Sequence, residues 1–263
     1  MNEYGLYILR NIITNLAYIG VIITIIITVL KNNKGASNNT NKTQQIHQVL
    51  ERDYYNSTYF LATKNEYNNM LNNKGLYGEY KIFKTLQAFE EYGARFLFNC
   101  YLPREYGETT EIDVILLYKD GIFVFESKNY NGWIYGDGRQ ELWTQTLLAG
   151  KNVHKTHFYN PVRQNQTHIK YLRRIIGNNL PIYSVVVFSN DCVLKDIKNY
   201  NSISEVIYLN QVIPTVQKLS SIRPNSIKQE VLISIYDKLY PYTQVSEGIK
   251  MQHIENINNK IEV

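Results

Sequence analysis

From Ile12 to Leu30 (IITNLAYIGVIITIIITVL) the chain carries no charge over 19 residues. That is close to the roughly 20 residues a helix needs to cross a bilayer core. β-branched residues dominate the run, which matters little in lipid, where the backbone must bond within its own segment. A cleaved signal peptide has an apolar stretch of only about 7–15 residues and a small-residue cleavage site. This run is longer, and Lys31-Asn32-Asn33-Lys34 follows it directly. It reads as a retained N-terminal transmembrane helix. Lys31, Lys34 and Lys42 follow the span while Arg10 and Glu3 precede it, so the positive-inside rule places the C-terminal bulk in the cytoplasm.

Beyond the anchor the pattern becomes that of a folded domain. Asn32 to Thr43 is a polar, low-complexity linker. Gln44 to Leu71 reads as one juxtamembrane helix, with Ile46, Val49, Leu50 and Tyr54 near helical spacing. Lys74 to Tyr92 is a second helix whose stripe is Ile82, Phe83, Leu86 and Phe89, with Gly93 just past its end. Strands are expected at Arg95 to Leu102, Glu111 to Tyr118, Gly121 to Lys128, Gly132 to Gly136 and Glu141 to Thr146. Lys119-Asp120-Gly121 is a hairpin turn signal. Asn160-Pro161 opens a helix to about Ile176, with Pro at its first position. Ile182 to Phe188 and Val206 to Leu209 read as strands, helices lie near Pro214 and Ser226, and Met251 to Val263 looks like a mobile tail. The expected organisation is an anchor (1–31), a linker with juxtamembrane helix (32–73), a central domain (74–190), a C-terminal α/β extension (191–241) and a flexible tail (242–263). No internal repeat is visible.

Two of these strands keep charges that an ordinary core strand would not. Asp113 sits near the start of Glu111 to Tyr118, and Glu126 and Lys128 end Gly121 to Lys128. Side chains alternate along a strand, so Glu126 and Lys128 share a face, and a hairpin brings the start of one strand beside the end of the other. Asp113 and Glu126 can therefore meet. Two carboxylates on adjacent strands suit Mg²⁺, a hard cation that takes oxygen ligands and keeps several waters. Water bound to such an ion becomes a nucleophile, and a neighbouring lysine can stabilise charge growing on a phosphate. A solvated strand-end ion pair between Glu126 and Lys128 accounts for the spacing equally well.

Composition narrows the class. The chain has 263 residues, 13% of them aromatic, including 23 Tyr, which is enough for a packed core. The net charge of +5 permits nucleic acid or an anionic membrane surface as partner. Two cysteines, Cys100 and Cys192, are a poor disulfide framework and read as buried thiols in a reducing compartment. No GxxxxGK[ST] occurs, so no P-loop motor is fused here.

The ordered series resembles the PD-(D/E)xK nuclease superfamily and, more narrowly, the nuclease-related domain (NERD) family. The residues that carry the resemblance are Gly78-Glu79, Glu111-Ile112-Asp113, Gly121 to Tyr130 (GIFVFESKNY), Gly132 to Gly136 (GWIYG), Trp143-Thr144-Gln145 and Asn160 to Asn165 (NPVRQN). They cover roughly Leu76 to Phe188. The resemblance implies an α/β restriction-endonuclease-like core, a mixed central sheet flanked by helices, and nuclease chemistry dependent on Mg²⁺ or Mn²⁺. It implies Asp113 and Glu126 as metal ligands, Lys128 as the catalytic lysine, and Glu79 as a supporting acid that would join the metal. Gln145 and Gln164 match family positions that contact substrate or the metal shell. The Gln-x-x-x-Tyr motif of some related nucleases is absent, since Ala149 stands where the Tyr would be.

Three further features bear on function. From Lys151 to Ile176 there are Lys151, Lys155, Arg163, Lys170, Arg173 and Arg174 and no acid. Arg163, Lys170, Arg173 and Arg174 form a candidate phosphate-tracking face, or a solvated helix face. His154, His157 and His168 lack Cys or Glu at ligand spacing, which argues against zinc. Trp133 and Trp143 read as packing residues, with base stacking the other option. The leading reading is a membrane-anchored, divalent-metal-dependent nuclease hydrolysing phosphodiester bonds in DNA. The alternative is a non-catalytic nucleic-acid-binding or interaction module on a membrane tether, and a membrane-bound sensor is the third option.

Overall fold

A computed structural model describes residues 36–150, 152–198 and 204–261. The apolar run Ile12 to Leu30 lies outside the described residues. Among the described residues, no helix is long and apolar enough to cross a membrane. The chain divides after Ser57 into two units. The described part of the first is helix α1 (Ala36–Tyr55).

The second unit is a mixed α/β fold. It opens with two short helices, α2 (Thr58–Thr63) and α3 (Tyr67–Asn72), and then α4 (Lys74–Leu86). The single helix expected from Gln44 to Leu71 is thus broken, and Lys64 between α2 and α3 takes the left-handed conformation at φ 57°. Asn73 caps α4, its side chain accepting from the N–H groups of Gly75 and Leu76. A 3₁₀ segment extends α4 to Tyr92, and Gly93 ends it at φ 81°, as expected of a C′ glycine.

The main sheet has the order β1-β2-β3-β7-β9, comprising Arg95–Pro103, Thr109–Tyr118, Gly121–Lys128, Ile182–Phe188 and Ser204–Tyr208. β1, β2 and β3 pair antiparallel, and β3, β7 and β9 pair parallel. Both faces are covered, which is why β3 reads as a continuous apolar run. On one face Phe83 of α4 and Tyr59 of α2 pack edge-on against Phe96 and Phe98 of β1. On the other, Ile122 and Val124 meet Tyr171 and Leu172 of α5 (Pro161–Ile176) and Leu232, Ile235 and Leu239 of α7 (Gln229–Leu239). The parallel return from β3 to β7 runs through a second sheet and α5.

That second sheet has the order β6-β5-β4-β8, comprising Asn152–Tyr159, Leu142–Ala149, Gly132–Asp137 and Cys192–Lys198. β6 and β8 were not anticipated: both are edge strands, and their side chains are mostly exposed, so neither shows an apolar period. Trp143 is the packing residue expected. It is buried, stacks on Phe188 and lies where a Cβ on Gly136 would fall 2.2–2.5 Å from its ring. Asn160 ties this sheet to α5. Its amide donates to the carbonyls of Asp137, Gly138 and Gln140, while its Oδ1 accepts from the N–H groups of Val162 and Arg163 at the helix start.

The C-terminal part differs from a loose tail. Helix α6 (Val212–Ser220) follows β9, and helix α8 (Glu247–Ile261) occupies the stretch where a mobile segment was expected. His253 of α8 is buried, edge-on to Tyr101 and bonded to Thr109, which holds that helix against β1 and β2.

Candidate functional site

Three elements converge where β2 begins and β3 ends. Val114 pairs with Phe125, so the next step of the antiparallel ladder sets Asp113 opposite Glu126. Asp113 Oδ2 accepts from the Ser127 N–H at 2.7 Å. Glu126 is 1% exposed and lies between Lys128 and His168: its Oε1 is 2.7 Å from Lys128 Nζ and its Oε2 is 3.0 Å from His168 Nε2. The same-face prediction for Glu126 and Lys128 therefore holds, and it is a buried arrangement rather than a solvated strand-end pair.

The third element is α4. Gly78 lets it approach β3 closely, since a Cβ there would meet Ser127 Oγ at 2.4 Å. The following residue, Glu79, is thereby buried against the sheet, with Oε2 accepting from Tyr59 Oη at 3.2 Å and Asn99 Nδ2 at 3.0 Å. Asn99 sits at a break in the β1–β2 ladder. Pairing runs Phe98–Val114 and then Cys100–Ile112, passing over Asn99 and Asp113. Asn99 adopts φ 48°, a left-handed conformation that Asn tolerates better than most residues. Inward alternation slips here in both strands, so that Leu97 and Cys100, and likewise Ile112 and Ile115, share one core face. The slip falls at the level of Asp113 and Asn99, the two residues that face the acids.

The electrostatics follow from acids outnumbering cations in a dry place. Burial pushes the Glu79 carboxyl up to about 8, helped by the Glu111 charge and resisted by the bonds from Asn99 and Tyr59. Burial, then the charges of Glu126 and Glu79, holds Asp113 well above the usual carboxylate range, against the pull of Lys128. Burial likewise raises Glu111. Glu126 goes the other way: burial would raise it, but Lys128 and His168 outweigh that and keep it ionised. Burial alone would lower the Lys128 ammonium, yet Glu126 foremost, with Tyr130 and Asp113, holds it above its ordinary value. Lys128 is thus a fixed positive charge and not a base.

Helix α5 supplies the remaining wall. Gln164 Oε1 accepts from Lys128 Nζ at 3.2 Å. One turn on, His168 bridges Glu126 and the Thr110 hydroxyl, whose Oγ1 is 2.7 Å from Nδ1. An ionised carboxylate accepts only, so Nε2 of His168 carries the proton that faces Glu126. Reading the sequence missed His168 and Asn99 as site residues. The helical spacing of Gln164 and His168 was a usable signal, because residues four apart share a helix face.

The other predicted substrate contacts fall elsewhere. Gln145 is on β5 and donates to the carbonyl of Asn131. Arg163 and Lys170 are exposed on α5, and Lys170 lies over the Tyr171 ring. Arg173 donates to the Asn178 carbonyl, and Arg174 pairs with Glu105 at 2.6 Å. None of these four basic groups contacts the acids by any hydrogen bond or ion pair among the described residues. Lys170, Arg173 and Arg174 instead line a shallow open groove of about 430 Å³.

Among the described residues, no group of three or more His, Cys, Asp or Glu is drawn together as a ready ligand shell. The donor chemistry nonetheless fits a hard divalent ion. Asp113, Glu79 and Glu111 are oxygen donors whose charge is raised in cost by burial and mutual repulsion, a cost that a cation removes. Cys100 and Cys192 are free, buried thiols with pKa pushed up by burial to about 12 and about 11.

Residues 74–189 match the family model described as a nuclease-related domain. An uncharacterised protein of Bacillus anthracis is 30% identical over 187 residues, which cover 71% of this chain and 85% of that relative. No solved structure matches the chain.

Proposed function

The chain belongs to the nuclease-related domain family, and we propose that it is a divalent-metal-dependent nuclease hydrolysing phosphodiester bonds in DNA, with a PD-(D/E)xK, restriction-endonuclease-like core. The observation that carries this reading is the buried set at the β2–β3 end: Asp113 opposite Glu126, with Lys128 2.7 Å from Glu126. A site that confines several carboxyls with one ammonium is costly to fold and suited to an ion and a phosphate. Asp113 and Glu126 would hold Mg²⁺ or Mn²⁺, with Glu79 in support. That ion, when bound, supplies an acidified water and neutralises charge on the phosphate.

The protein's own side chains do the positioning. Lys128, held protonated by Glu126 and steered by Gln164, offers its ammonium to the charge growing on the phosphate oxygens. His168 fixes the Glu126 carboxylate from behind and is itself held by Thr110. Asn99 and Tyr59 do the same for Glu79.

The charge-free run from Ile12 to Leu30 and the lysines after it support membrane anchoring, with the catalytic domain on the cytoplasmic side. The decisive experiment is cleavage of labelled DNA by the full-length protein in detergent, with EDTA, Mg²⁺ or Mn²⁺. Metal-dependent cleavage that falls roughly 100-fold or more in Asp113→Asn and in Lys128→Met is expected. Equal cleavage by both variants would refute the roles assigned. Salt-sensitive binding without turnover in any metal would point to the tethered binding module instead.

A further inference from the structure

We propose that the outer face of the second sheet is a stacking surface for single-stranded nucleic acid, centred on Trp133 and flanked by Lys155 and Lys195. It rests on the nuclease reading for the class of ligand, and deepens it by naming a surface that would hold the strand.

Strand register defines the face. Trp133 pairs with Thr146, and Thr146 with Lys155; Tyr135 pairs with Thr144, and Thr144 with His157. Directly paired residues project to the same side of a sheet. Trp133, Tyr135, Lys155 and His157 therefore share one side, and Tyr159 continues it. The opposite side carries Ile134, Trp143 and Phe158, which pack into the core around Phe188. The two tryptophans thus differ: Trp143 is fully buried in packing, whereas Trp133 is only partly buried.

The outer side has the chemistry of a single-strand platform. Tyr135 and Tyr159 are 37% and 41% exposed, and Lys155, His157 and Lys195 are exposed too. Lys195 comes from β8 and places its Nζ 4.9 Å from the centre of the Trp133 ring. Among the described residues, neither Lys155 nor Lys195 forms an ion pair, whereas the nearby Asp196 and Asp137 are matched by Lys198 and Arg139. The exposed Tyr135 and Tyr159 rings, the partly buried Trp133 ring that Lys195 overlies, and cations without an ion-pair partner complement bases and their phosphates, whatever the base sequence. The surface also lies close to the acids along the chain. Gly132 is four residues beyond Lys128, so at most about 14 Å of extended backbone separates the two.

The test is fluorescence anisotropy of a labelled oligothymidylate with the full-length protein in detergent and EDTA, which uncouples binding from cleavage. Trp133→Ala should weaken binding by ~5- to ~150-fold, the range of one lost base stack, while Trp133→Phe keeps most of the affinity. The double variant Lys155→Ala/Lys195→Ala should flatten the dependence of log affinity on log salt by about 1.4, for two lost contacts on a single strand. The proposal is overturned if wild type does not bind, if the Trp133 and lysine variants bind unchanged, or if they lose affinity for anionic vesicles but not for the oligonucleotide. Metal-dependent cleavage with unchanged binding in the face variants would sink this surface and leave the nuclease reading intact. Lost binding in those variants, with no cleavage by wild type in any metal, would do the reverse.

Discussion

Lysine and histidine occur here in two settings and behave as two kinds of residue. Lys128 and His168 are enclosed at the end of the main sheet, each bonded to the nearly inaccessible Glu126. Lys155 and His157 stand on the exposed edge strand of the second sheet, where water solvates them at no cost. In the first setting a charge persists only if every neighbour is placed to hold it, so geometry and chemistry are fixed together. In the second, the charge constrains nothing about the fold and is free to serve a ligand. Mutations should therefore act on stability in one place and on binding in the other.

The sharpest way to break that contrast is Glu126→Ala. It strands Lys128 and His168 in a dry site, and losing one partner of a buried pair costs about 3–5 kcal/mol. Chemical denaturation should show it; a loss below about 1 kcal/mol would mean that the acid cluster is open to water. Next is the pH dependence of the EDTA-treated protein. Glu79 ionises at its ordinary 4.5 when unfolded and at about 8 when folded. Between those values the native state holds the extra proton, so stability falls as pH rises from 4.5 to about 8 and levels off above. The total is on the order of a few kcal/mol. Glu79→Gln should reduce the slope in a Tm series, leaving the share of the raised Asp113 and Glu111, and saturating Mg²⁺ should reduce it too; a slope unchanged in Glu79→Gln would assign it to those other groups.

Gly136→Ala probes the packed side of the second sheet. The new Cβ would fall inside contact distance of the Trp143 ring, and overpacking of this kind costs about 1–3 kcal/mol. Calorimetry should show a Tm drop of roughly 2–4 °C per kcal/mol. The smallest effect belongs to Lys155→Ala, within about 0.5 kcal/mol of wild type by denaturation. A larger loss would mean that the edge strand is less solvated than its exposure indicates.

The same contrast explains what could be seen in the sequence. β2 and β3 were legible because they bury both faces and so read as apolar runs broken by charges that have no business in a core. Asp113, Glu126 and Lys128 stood out for that reason, and Gln164 came from the family pattern. β6 and β8 were invisible because an edge strand facing water has no obligation to alternate. His168 was harder to read: its spacing from Gln164 was the one signal, its partner Glu126 is 42 residues away, and a buried histidine on an apolar helix face resembles any other core histidine. Asn99 gave no signal at all, because a break in a ladder depends on two strands and neither announces it alone. The basic residues of α5 were legible as charge but not as position, since composition does not say which way a helix is turned.

Asn160 has a consequence for how the chain assembles. Its side chain closes the turn of the β4–β5 hairpin through three carbonyls and also starts α5 through two amides. Neither structure keeps its full set of bonds without the other, so hairpin and helix should order as one cooperative unit although they are separate in sequence. In native-state hydrogen exchange, the amides that α5 and the hairpin protect should open together at a common free energy. Asn160→Ala should split them into two rates.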